Sequence, residues 1–68
     1  MKIVLWDDKL DSREIEILGR IAPSKGDFID AFFQVMQIER IAWSLYENAD
    51  PVLNIVVNGV FENGQKIL

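Results

Sequence analysis

The chain of 68 residues contains no cysteine and no histidine. The absence of cysteine excludes disulfide bonds and thiolate metal ligands, and the absence of histidine excludes imidazole ligands. These two residue types also supply many catalytic nucleophiles and bases. The serines, Ser12, Ser24 and Ser44, have no evident base, and no glycine-rich phosphate loop is present. The sequence therefore predicts a protein that is not an enzyme and that uses no metal or cofactor.

Positive charge is scarce, because seven Lys and Arg residues stand against eleven Asp and Glu, giving a net charge of −4. This balance disfavours binding to nucleic-acid phosphates and to anionic membrane surfaces. No apolar run approaches the roughly 18 residues of a transmembrane helix, and the N-terminus lacks a signal-peptide pattern. We therefore expect a cytoplasmic protein without direct nucleic-acid or membrane binding.

The length predicts a single domain over residues 1–68. A chain this short buries only about 60% of its unfolded surface and is usually marginal unless something else stabilises it. Its apolar fraction is nevertheless 50%. With disulfides excluded, oligomerisation is the remaining common way to bury more area. The sequence thus predicts a homodimer or a higher oligomer.

Residues 27–49 (DFIDAFFQVMQIERIAWSLYENA) contain no Pro and no Gly. At about 100° per residue, their apolar side chains cover roughly 200° of a helical wheel, about twice the stripe of a surface helix. Phe33 and Ile41 lie on or near the polar side of that wheel. The pattern predicts one long amphipathic helix that is covered on more than one side.

Glu39 lies within the apolar arc of this predicted helix. A bare buried carboxylate there would cost several kcal/mol, on the order given for an unpaired charge. Glu39 could bond the indole of Trp43 or the hydroxyl of Tyr46, or it could be a functional carboxylate or a specificity device at a subunit contact. Because no Lys or Arg shares its helical face, we expect a partly desolvated carboxyl, and Glu39→Gln should then stabilise the protein.

The first half of the chain begins with a run of strand-forming residues, Lys2 to Trp6. Asp11 and Glu14 have the spacing of a helix capping box and predict a second helix over residues 12–22. Pro23 ends that helix, and residues 23–26 form a linker.

The long helix should stop at the turn around Asp50 and Pro51, and the tail is rich in Val and Ile. Asn-Gly occurs at residues 58–59 and 63–64, and this dipeptide favours hairpin turns. We favour residues 63–64 as the turn, with Val60 opposite Ile67, although residues 58–59 remain an alternative. The predicted fold class is therefore α+β in the order β-α-α-β-β, with the long helix packed on a small antiparallel sheet.

The opening MKIVLWDDK, followed by a predicted helix, resembles the start of a response-regulator receiver domain. In that family an acidic pair after the first strand helps to bind magnesium, and Asp7 and Asp8 would be the matching pair. The resemblance covers about twenty residues, and the chain is too short for the five-stranded parallel fold. Asp7, Asp8, Asp11, Glu14 and Glu16 could also form a hard-cation site, but Lys9 and Arg13 interrupt the set. A solvated, acidic start of a helix explains the same residues.

These patterns favour a small acidic binding protein that acts as a homo-oligomer and regulates or inhibits another protein. A phage or mobile-element origin would fit its size and charge. The alternative is a protein that binds or sequesters a small anionic, nucleotide-like ligand in a pocket between subunits. The candidate ligand or partner contacts are Glu39, Arg40, Trp43, Tyr46, Phe33 and Lys25.

Overall fold

The computed structural model describes residues 1–62, which form one five-stranded sheet curled into a half-barrel. The order of the strands is β2-β1-β5-β4-β3. Neighbouring strands are antiparallel except for the parallel pair β1 and β5. Residues 1–62 contain no helix, and thus no helix able to cross a membrane. The strands are β1 (Lys2–Trp6), β2 (Ser12–Glu16), β3 (Phe28–Ala31), β4 (Gln34–Ser44) and β5 (Val52–Asn58).

The predicted α+β fold with the order β-α-α-β-β is therefore wrong. The predicted long helix of residues 27–49 is an antiparallel hairpin made of β3 and β4. The predicted helix of residues 12–22 is strand β2 followed by irregular chain. The strand Lys2–Trp6 is confirmed, and the β-rich tail forms β5 over Val52–Asn58.

A β-bulge explains why β4 resembles a helix in sequence. Met36 and Ile38 are buried, and the register against β5 then shifts between Ile38 and Arg40, leaving Glu39 as the extra residue. The next side chain packed against the core is Ile41. A bulge adds one residue to one strand and so changes which positions face inward. The apolar spacing thereby lengthens from two to three residues, which is also the spacing of neighbours on a helix.

The turn between β3 and β4 gives no sequence signal for a hairpin. Phe32 and Phe33 occupy it, with φ angles of 56° and 63°. Two-residue hairpin turns with positive φ at both positions normally carry Asn-Gly or a similar pair, because bulky side chains are strained there. Two phenylalanines instead extend the apolar pattern across the turn, and the boundary between the strands disappears from the sequence.

The capping-box spacing of Asp11 and Glu14 predicted a helix, but residues 12–16 form strand β2, whose side chains point alternately to the two faces of the sheet. Arg13 and Ile15 are partly buried, whereas Glu14 is exposed and its carboxylate lies 3.4 Å from the Lys2 ammonium on β1. Asp11 belongs to the loop before β2 and not to a helix N-terminus. Cross-strand pairing thus places Glu14 near a cation on β1.

The hydrophobic core lies on one face of the sheet and is centred on β5, the middle strand. Phe61 closes one end of this core, and its ring meets the ring of Phe32 edge-on, with centroids 6.4 Å apart. Strand β5 ends at Asn58, so residues 58–59 do not form a hairpin turn with the residues that follow as far as 62. The predicted turn at 63–64 and the pairing of Val60 with Ile67 lie outside the described residues. The buried apolar core consists of Ile3, Leu5, Met36, Ile38, Leu53, Ile55, Val57 and Phe61.

Candidate functional site

Asp7 is the one charged side chain buried within residues 1–62, with 1% of its surface exposed. Its Oδ1 accepts hydrogen bonds from the backbone N–H groups of Lys9 and Asp11, both at 2.9 Å, and its Oδ2 accepts one from Phe61 at 3.0 Å. Burial raises the pKa of the Asp7 carboxyl, but these donors and the charge of Lys9 together lower that pKa below its usual 3.8. Asp7 is therefore an ionised structural group whose oxygens are already occupied.

Residues 59–62 are held across the same end of the half-barrel. Two hydrogen bonds join Asp8 and Gly59. The Asp8 N–H donates to Gly59 O at 2.8 Å, and the Gly59 N–H donates to Asp8 Oδ2 at 3.1 Å. The amide of Gln34 donates to Val60 O at 2.8 Å and accepts from Glu62 N–H at 3.0 Å. We call this region, made of residues 7–11, Gln34 and residues 59–62, the closed end.

Arg13 covers the aromatic part of the closed end. Its guanidinium lies 4.8 Å from the ring centre of Phe61 and 5.3 Å from that of Phe32. Cation–π contacts at such distances stabilise a partly desolvated arginine by about 0.5–2 kcal/mol. The charge of Arg13 is thus used inside the fold, and this arginine is poorly placed to bind an anionic ligand.

The opposite edge of the sheet is left open along part of β4. Strand β3 pairs only with residues 34–37 of β4. Beyond them, Ile38 N–H bonds Asp27 O at 2.8 Å and Gly26 N–H bonds Ile38 O at 2.9 Å. Residues 40–44 pair with β5 on one side, and no other strand within residues 1–62 pairs with their second side. We call this second side the open edge.

Large apolar side chains are exposed in two places near β4. Trp43 lies on the open edge with 49% of its surface exposed, and Leu45 and Tyr46 follow it directly and are also exposed. Phe28, which is 69% exposed, and Val35 lie on one face of the β3–β4 hairpin. Together with Phe33 at the turn they form a surface that we call the aromatic hairpin. Scattered exposed hydrophobics are ordinary, but several of them on one element can mark an interaction site.

Two shallow clefts lie near these surfaces. The first has a volume of about 290 Å³ and includes Arg20, Trp43 and Asp50 in its lining. The second has a volume of about 180 Å³ and includes Lys25 and Glu39. In each cleft the cation is accompanied by a carboxylate. Neither cleft therefore presents the uncompensated positive charge that a phosphate-bearing ligand requires.

The six candidate residues from the sequence do not form one site. Glu39 and Lys25 share the smaller cleft, whereas Phe33 stands at the turn of the aromatic hairpin. Trp43 and Arg40 belong to the open edge. Tyr46 lines a third hollow that it shares with Ala49, Asp50, Pro51 and neighbouring residues.

The expectation that Glu39 is desolvated is wrong. Its side chain is exposed because it occupies the bulge, and the structure shows no bond from it to Trp43 or Tyr46 within residues 1–62. The prediction that Glu39→Gln stabilises the protein loses its physical basis with this result.

Sequence reasoning named Asp7 only as a candidate cation ligand, and it did not select Phe28 or Val35. The interpretation of Asp7, Asp8 and Asp11 as the acidic start of a helix is wrong, because these residues precede strand β2. The alternation of Phe28 with Ile29 and of Val35 with Met36 was the available signal for exposed and buried faces of strands. Within residues 1–62, no group of three or more acidic side chains is arranged to hold a metal ion.

Comparisons of the chain with protein-family models, with curated proteins and with solved structures find no match.

Proposed function

We propose that the protein is a small, non-enzymatic, cytoplasmic binding module that works as a homodimer and regulates or inhibits another protein. The observation that carries this proposal is Phe33, whose side chain is completely exposed at a strained turn. The aromatic hairpin is the surface that binds the other protein, and a separate surface joins the two copies.

Phe33 stabilises nothing within residues 1–62. Its φ of 63° is rare for a bulky residue, and such a conformation costs on the order of 1–3 kcal/mol. With 100% of its surface exposed, its ring recovers none of that energy by burial. Asn or Gly would suit the turn better. A fully exposed aromatic side chain at the turn of a hairpin is suited to fill a pocket in a partner.

The surroundings of Phe33 indicate the chemistry of the partner. Phe28 and Val35 are exposed on one face of the same hairpin, and Asp30 lies directly opposite Val35 on that face, so an apolar surface that also carries a cation could receive them. Asp27 and Asp30 are also exposed on this hairpin or beside it. Since the whole chain carries a net charge of −4, the complementary surface is an apolar pocket with a basic rim.

The anionic-ligand alternative has weaker support. Its pocket would lie between subunits, with Lys25, Arg40 and Tyr46 as contacts, and these residues would have to come from two copies, because within one copy Lys25 lies beside Glu39 and Tyr46 lines a different hollow. A carboxylate beside each cleft cation repels an anion. A thermal-shift screen with nucleotides tests this alternative directly, since a ligand at a hundred times its Kd stabilises a protein by about 2.7 kcal/mol.

The proposal is tested by two measurements on the full chain. Sedimentation equilibrium at micromolar concentration should show a dimer of the 7.8 kDa chain. Affinity capture from a host lysate should then be performed with the wild type and with Phe33→Asn as matched baits. A protein with a basic surface should be retained by the wild type and lost with the variant. A folded monomer that captures the same proteins with and without Phe33 would contradict the proposal.

A further inference from the structure

We propose that two copies of the chain join through the open edge of β4, paired antiparallel about Ala42, so that their sheets become continuous. This inference rests on the homodimer in the proposed function and specifies its interface. It uses a different surface from the aromatic hairpin, which stays free for the other protein.

The backbone of residues 40–44 supplies the driving contacts. On a strand, successive N–H and C=O groups point alternately to the two sides, so about half of these groups face away from β5. No strand within residues 1–62 receives them. Ala42 and Trp43 are exposed on this stretch of the strand. An unpaired edge without Pro or Lys is a template for a further strand.

The side chains of the open edge suit a second copy in one register. Pairing about Ala42 uses residues 40–44 of both copies and places each Ile41 opposite Trp43 of the other copy. Both residues lie on the core face, because Ile41 pairs with Ile55 and Trp43 with Leu53 on β5. Aromatic and β-branched residues form favourable cross-strand pairs. The small Ala42 side chains meet at the two-fold axis without a clash.

The charges also permit this register. Each Arg40 faces Ser44 of the other copy, and the two Arg40 residues stand about 14 Å apart along the strands, four residues at 3.4 Å each. That separation exceeds the Debye length of about 8 Å at physiological ionic strength. No pair of like charges is therefore opposed within residues 40–44.

The free edge of β2 is less suited to antiparallel pairing with a second copy of itself. Pairing Ser12–Glu16 with itself about its central residue would place the two Glu14 carboxylates directly opposite each other. Like charges in that position destabilise a strand pair. The four residues of β3 provide a shorter edge than β4 does. Among the edges of residues 1–62, the open edge is thus the one whose length and charge suit self-pairing.

Cysteine scanning tests the interface cleanly, because the wild-type chain has no cysteine. Ala42→Cys places two thiols at the proposed two-fold axis, where opposed Cβ atoms on antiparallel strands lie about 4.5–5.5 Å apart and can be bridged with a small adjustment. Ser12→Cys on β2 and Val35→Cys on the aromatic hairpin are the matched controls. Circular dichroism confirms that each variant folds before mild oxidation.

We expect Ala42→Cys to form a covalent dimer at least about tenfold faster than either control, because a pre-formed contact acts as a high effective concentration. A sedimenting dimer in which Val35→Cys cross-links instead of Ala42→Cys would overturn this interface and leave the proposed homodimer intact. A folded monomer with no cross-linking at any position would overturn both. Cross-linking of Ala42→Cys to a different protein in a lysate, without self-cross-linking, would overturn self-pairing.

Discussion

The closed end and the open edge differ in whether their backbone N–H and C=O groups have hydrogen-bond partners within residues 1–62. At the closed end, Asp7 and Gln34 bind N–H and C=O groups of loop residues that belong to no strand pair within residues 1–62. Along the open edge, residues 40–44 keep regular strand geometry but lack a partner on one side within the described residues. Because unsatisfied backbone groups are avoided when buried, the first arrangement stabilises a monomer and the second is suited to association. Stability and binding therefore depend on different residues.

The largest change in the free energy of unfolding should follow from removing the Phe61 ring at the closed end. Phe61 is 8% exposed and packs against Phe32 beneath Arg13. Phe61→Ala should lower the free energy of unfolding by about 3–5 kcal/mol, the usual range for a buried phenylalanine. Urea denaturation measures this change. A loss below about 1 kcal/mol, smaller than that of an ordinary core truncation, would show that Phe61 does not close the core.

The pH dependence of stability should report on Asp7. A carboxyl whose folded pKa is lowered contributes stability that is present above its unfolded pKa, 3.8 for Asp7, and is lost as the pH falls through the folded pKa. The protein should therefore unfold more readily at acid pH, below 3.8 for this group.

Asp7→Asn isolates that contribution. An amide nitrogen cannot accept the hydrogen bond that one Asp7 oxygen now accepts, so the variant should be less stable at neutral pH. It should also lose part of the dependence on acid. Thermal unfolding of the two proteins between pH 2.5 and 7, an interval chosen to span the usual carboxyl pKa, makes the comparison. If the melting temperatures of the wild type and of Asp7→Asn change with pH in the same way throughout that interval, the ionised Asp7 does not stabilise the closed end.

A substitution in the aromatic hairpin should stabilise the protein, whereas the substitutions at the closed end destabilise it. Phe33→Asn relieves the strain at positive φ and sacrifices no internal contact, so it should raise the free energy of unfolding by about 1 kcal/mol. Phe33→Ala is the control, since it removes the ring but keeps a residue unsuited to the turn, and its effect should be smaller. If Phe33→Asn destabilises the monomer, the ring has an internal role and is not reserved for a partner.

An effect of similar size to that of Phe33→Asn, but of opposite sign, should come from the face of the sheet opposite the core. Trp6 Nε1–H bonds Asn54 Oδ1 at 3.0 Å, and Asn54 Nδ2–H bonds Ser44 Oγ at 2.7 Å, which links β1, β5 and β4. Ser44→Ala removes one part-buried hydrogen bond and should cost about 0.5–1.5 kcal/mol. Differential scanning calorimetry can resolve such a change. A larger loss would indicate that this network, and not the closed end, stabilises the sheet.

The sequence predicted the parts of the fold whose signals are local. Strand β1 and the β-rich tail were recognisable because their Val, Ile and Leu residues follow one another without competing periodicity. Residues 27–49 were misinterpreted because two irregularities coincide there. The Phe32–Phe33 turn lacks the expected Gly or Asn, and the bulge at Glu39 shifts the apolar positions by one. Residues 34–44 form a strand because they pair with β5, which lies later in the chain, and a short stretch of sequence does not reveal such a distant partner.

The role of the candidate contacts stays a prediction. Phe33 and Trp43 were selected as candidate ligand or partner contacts, and both are exposed. The interpretation of Glu39 failed because its burial depended on the helix. The open edge could not be predicted, since which side of a strand lacks a partner is a property of the sheet order and not of the strand's own residues.

Hydrogen exchange of the backbone amides in residues 40–44 tests the central claim most directly. The amides that face away from β5 should be protected at protein concentrations where the dimer forms and should exchange rapidly on dilution. The amides on the free side of Ser12–Glu16 provide the internal control and should exchange rapidly at every concentration. Rapid exchange along the open edge in a sample that sediments as a dimer would contradict the claim that β4 joins the two copies.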